Sequence, residues 1–64
     1  MTTASVLSHH DATIHLAVDG ILYAYTFPNL DMVRKVLVIN KASGLAALNY
    51  AKRWASEVKK VEHA

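Results

Sequence analysis

The 64-residue sequence predicts an α+β fold, an antiparallel β-hairpin or three-stranded meander packed against two C-terminal helices. Three observations predict it: Asp19-Gly20 between two alternating apolar runs, Pro28 closing the second run, and a helical pattern filling the rest of the chain. Asp-Gly suits a two-residue type I′ turn because both central positions need a positive φ. The turn sets Val18 opposite Ile21, Leu16 opposite Tyr23, Ile14 opposite Tyr25 and Ala12 opposite Phe27. Side chains alternate along a strand. One face therefore holds Ile14, Leu16, Val18, Ile21, Tyr23, Tyr25 and Phe27, and the other Thr13, His15, Ala17, Leu22, Ala24 and Thr26. The first face is expected to be covered.

Residues 3–8 are expected to form a short first strand, with His9-His10-Asp11 turning into the hairpin. Pro28 ends the next strand because it cannot donate to a central ladder. Asn29 or Asp31 can cap a helix expected from about Leu30 to Ile39, with a strand as the alternative for the β-branched, apolar Val36-Leu37-Val38-Ile39. Ser43 caps a second helix expected from about Gly44 to Val61. Alanine, leucine, lysine and glutamate favour it, and no Pro or later Gly interrupts it. Leu48, Ala51, Ala55 and Val58 recur at helical spacing, and Tyr50, Trp54, Val58 and Val61 form a second apolar row. The whole is expected to be one domain, with its β part at 3–27 and its α part at 29–61.

Composition narrows the function. A chain this short is near the lower limit at which one core stabilises a fold unaided. Its hydrophobic fraction of 53% is more than so small an interior hides, which predicts a homo-oligomer or an apolar partner. There is no cysteine, so no disulfide framework or thiolate metal site forms. No apolar run approaches the ~20 residues that span a bilayer, and the N-terminal segment lacks the basic and apolar regions of a signal peptide. The expectation is a cytoplasmic protein without membrane contact. Residues 1–33 carry three aspartates and no Lys or Arg, whereas residues 34–64 carry all seven basic residues and two glutamates.

Four sites follow. Lys52, Arg53, Lys59 and Lys60 would share one face of the second helix, and with Arg34 and Lys35 nearby could bind phosphates of RNA, DNA or a nucleotide. The alternative is a solvated helix face. Tyr23, Tyr25 and Phe27 form an aromatic row, which packs in a core or stacks bases, with Tyr25 or Trp54 as the stacking ring. His9, His10, Asp11 and His15 lack the spacing of a metal site, and His15 reads instead as an outer-face strand residue. Ser43-Gly44 reads as a helix cap, and nothing pairs it with a general base, so no enzyme activity, catalytic residue, metal or cofactor is expected.

Tyr23-Ala24-Tyr25 after a glycine turn, Phe27-Pro28, a helix, then Ala42-Ser43-Gly44 and Asn49 together resemble the KTSC domain over about residues 13–50. The resemblance implies a small stand-alone module of the kind found in bacterial and phage proteins and at the end of some lysyl-tRNA synthetases, with RNA binding as its proposed role. Ser43 and Gly44 are adjacent here rather than separated, and Leu48 stands where that family has an aromatic residue. Two functions remain from the sequence. One is a non-enzymatic oligomeric module that binds nucleic acid or a phosphate-bearing nucleotide. The other is a protein-interaction or inhibitor module, such as a phage accessory protein that blocks or sequesters a host protein, with Leu22, Val38, Ile39, Tyr50 or Trp54 at the interface.

Overall fold

The computed structural model describes residues 2–63. Its elements are β1 (Ala4–His10), β2 (Thr13–Val18), β3 (Ile21–Thr26), α1 (Leu30–Ala42), α2 (Gly44–Trp54) and β4 (Glu57–His63). The strands form one antiparallel sheet in the order β1-β2-β3-β4, and the two helices connect β3 to β4. The fold is α+β, a meander of strands packed against a helical pair.

The hairpin has the register its turn dictates: Val18 pairs with Ile21, Leu16 with Tyr23 and Ile14 with Tyr25. Asp19 and Gly20 take φ values of 51° and 83°, as a type I′ turn requires. The Phe27 N–H donates to the Ala12 carbonyl at 2.8 Å, carrying the pairing one step past the strands. β1 is longer than expected and runs to His10, so Asp11 and Ala12 form the turn, with Asp11 at φ 52°. The Asp19 carboxylate also accepts the Thr3 N–H at 2.7 Å, fastening the chain's start to the hairpin turn.

Asn29 caps α1, its side-chain oxygen accepting the Met32 N–H at 3.1 Å. Val36–Ile39 is helix, and α1 runs on to Ala42. The helical option wins because Val33 and Val36, three apart, fall on one side of α1 and are buried there, while Val38 is turned outward. Ser43 ends α1 and caps α2, accepting the Ala46 N–H at 3.2 Å. One core results, in which Ile14, Leu16, Tyr25 and Phe27 of the sheet region meet Val33, Val36, Ala47, Leu48 and Ala51 of the helices.

The second helix is shorter than its composition suggests. It stops at Trp54, Ala55 is extended, and residues 57–63 return as β4 against β3. The physical reason is the open edge of β3. Ser56 places both its N–H (2.8 Å) and its hydroxyl (3.0 Å) on the Thr26 carbonyl, and the following residues complete the ladder that a helix would leave unpaired. Strand pairing with a distant segment thus overrides local helix propensity.

Candidate binding surface

The helices cover only one face of the sheet. On the other, Thr13, His15 and Ala17 of β2 lie beside Ala24, Thr26 and Leu22 of β3, and all six are half-buried without a helix over them. An antiparallel sheet can leave one face to solvent. A solvated face usually alternates to charged residues, and none of these six carries a fixed charge. Ser5, Ser8 and His10 extend the face along β1, and Glu57 and Lys59 along β4, as their pairings with Ala17, His15, Thr13, Thr26 and Ala24 require. Leu7, the extra residue at the register shift between Val6 and Ser8, is 59% exposed.

Polar groups mark the middle of this face. The Thr13 and Thr26 hydroxyls lie 3.2 Å apart. Among the described residues His15 Nδ1 is buried with no hydrogen-bond partner. A buried polar atom left unpaired costs about 1–3 kcal/mol. In a neutral imidazole with its proton on Nε2, Nδ1 is an acceptor awaiting a donor. Neither feature is legible in the sequence beyond the placement of His15 on this face.

The predicted phosphate-binding residues do not assemble. Lys52 and Arg53 occupy the last turn of α2, where they offset the partial negative charge of the helix end. Lys59 and Lys60 are on β4, not on the helix, and point to opposite faces because they pair with Ala24 and Tyr23. Arg34 and Lys35 are on α1, and Arg34 lies 3.5 Å from Asp31 in an exposed ion pair. The stripe drawn on a continuous helix therefore does not exist.

Tyr25 is 4% exposed and packs in the core, so it cannot stack a base. Burial and the neighbouring Tyr23 hydroxyl raise its pKa above 10.0. Trp54 is 48% exposed and ends a row of rings, with Phe27 to Tyr50 and Tyr50 to Trp54 each 6.4 Å between centroids. The Arg53 guanidinium lies 5.5 Å from the Trp54 ring centroid. The apolar row imagined through Tyr50, Trp54, Val58 and Val61 is broken between Trp54 and Val58 by the change to strand.

The predicted interface residues fall on three surfaces. Leu22 is on the open sheet face, Val38 and Ile39 are on α1, and Tyr50 and Trp54 are on α2. Val38 is 65% exposed and, with Arg34, Lys35 and Ile39, lines a shallow depression of about 280 Å³. His10 Nε2 lies 3.2 Å from the Asp11 carboxylate, both exposed, and no group of three potential metal ligands occurs among the described residues.

No family model, curated protein or solved structure matches the chain. Among the described residues no helix is long and apolar enough to cross a membrane.

Proposed function

We propose that the chain is a non-enzymatic protein-interaction module whose working surface is the open face of its sheet. The observation that carries this reading is the uncharged patch of Thr13, His15, Ala17, Leu22, Ala24 and Thr26, half-buried by its own neighbours and holding an unpartnered His15 Nδ1. A patch of small and apolar side chains without fixed charge fits a protein surface that supplies apolar contact. A nucleic acid fits it poorly. Phosphates need cations on one face, and the cations here are distributed over α1, the end of α2 and both faces of β4. The reading keeps the KTSC-like character of a small module while replacing the RNA ligand proposed for that family with a protein, such as a host factor that the module blocks or sequesters.

Site-specific photo-crosslinking in cells tests this. A photoreactive phenylalanine at Ala24, in the middle of the face, yields a discrete protein adduct that Ala17→Arg abolishes, while the same probe at Lys35 does not. Adducts with nucleic acid from position 24, or protein adducts from position 35 alone, would overturn it.

A further inference from the structure

The two edges of the sheet are not alike. On β1 the outward Val6 N–H is taken by the Asn40 side-chain oxygen at 3.3 Å, and Gly44 at the start of α2 is pressed against the Ala4 carbonyl. β4 has no strand beyond it among the described residues.

The direction of the free backbone groups on β4 can be read from its neighbours. Phe27 N–H donates to Ala12, which turns the odd-numbered residues of β3 toward β2, and Thr26 C=O accepts from Ser56, which turns the even-numbered ones toward β4. Glu57 and Lys59 stand opposite Thr26 and Ala24, so their N–H and C=O groups serve the β3 ladder. Those of Val58 and Lys60 point out of the sheet.

We propose that β4 pairs with β4 of a second copy, antiparallel about a two-fold axis through Val58, so that one sheet runs continuously across two chains. The register follows from parity and charge. An axis perpendicular to the sheet keeps like faces together, so one residue must stand opposite its own copy. Centring on Glu57, Lys59 or Lys60 sets identical charges directly against each other, which is destabilising. Centring on Val58 sets Val58 against Val58 and places Glu57 of each copy opposite Lys59 of the other. Val58 is also the residue whose N–H and C=O face outward, so the two copies exchange a pair of hydrogen bonds on the axis. Its side chain is 50% exposed and buries against its own copy. Charges on an edge strand normally discourage pairing; here they reject the registers centred on Glu57, Lys59 and Lys60, while a register centred on Val61 would fall on the irregularity that leaves Val61 out of the pairing with β3. The contact does not depend on the partner proposed for the open face, since a monomer presents that face equally.

Sedimentation velocity over a concentration series tests the proposal, with circular dichroism confirming that each variant is folded. The wild-type chain shifts to a dimer as concentration rises. Val58→Pro removes the N–H on the axis, which an outward edge position tolerates, and leaves a monomer throughout. Glu57→Lys turns two attractive pairs into repulsive ones and weakens the dimer by about tenfold. Combining Glu57→Lys with Lys59→Glu restores it, which no other register predicts. A wild-type chain monomeric at every concentration, or a dimer indifferent to Val58→Pro or to the single charge reversal, overturns the proposal. So does a double reversal that fails to restore. A monomer that still forms the adduct at position 24 overturns the dimer alone and leaves the open-face reading standing.

Discussion

β1 and β4 are both edge strands, yet the chain treats them oppositely. On β1, a side-chain acceptor from α1 and the closely packed start of α2 occupy the outward side. On β4, the backbone groups of Val58 and Lys60 stay free, and the nearby side chains are charged rather than capping. The contrast teaches that β1 is closed by contacts from remote elements rather than by its own residues. Ala4–His10 holds Val6 and Leu7 and no Lys, Arg, Asp or Glu, while β4 carries Glu57, Lys59 and Lys60. Strand composition alone would mark β1 as the edge needing protection, and β1 is the edge that the helices close.

The sharpest way to break the contrast is at Gly44. A Cβ there would overlap the Ala4 carbonyl, part of the backbone, which cannot swing aside. Gly44→Ala is expected to cost about 3 kcal/mol, read as a fall in the urea midpoint. Asn40→Ala should cost about 1 kcal/mol by freeing the part-buried Val6 N–H. It should also open β1 to association that Val58→Pro does not suppress, measurable by sedimentation. Ser43→Ala removes the α2 cap and should cost about 1 kcal/mol, lowering Tm without affecting either edge directly.

The smallest effect is a response to alkali. Tyr25 has its pKa raised in the folded state, first by burial and then by Tyr23. The unfolded chain therefore loses that proton first. Stability is unaffected below about pH 10 and declines above it, until the folded state's own ionisation is reached. Tyr25→Phe should flatten this alkaline slope in thermal melts monitored against pH, and leave both edges unchanged.

How much of this the sequence shows depends on how far apart the deciding residues lie. The hairpin is legible because Asp19-Gly20 and the alternation around it act over a few residues, and Asn29 and Ser43 cap helices three residues ahead. Val36–Ile39 is ambiguous locally, and burial of Val33 and Val36 under the sheet decides it for helix. β4 is hidden because Glu57, Lys59 and Lys60 are good helix formers and only the unpaired side of β3, some thirty residues earlier, makes them a strand. The supposed basic stripe goes with that helix. His15 is legible as an outer-face residue, but its unpartnered Nδ1 follows from packing and not from pattern. The closing of β1 by Asn40 is equally remote, spanning 34 residues.

Amide hydrogen exchange, measured on dilute and concentrated samples, tests the difference between the two edges most directly. The Val6 amide is expected to be protected by Asn40 at both concentrations, and the Val58 and Lys60 amides to exchange freely when dilute and become protected when concentrated. Free exchange of Val6 in both samples, or protection of Val58 that does not change with concentration, would contradict that difference.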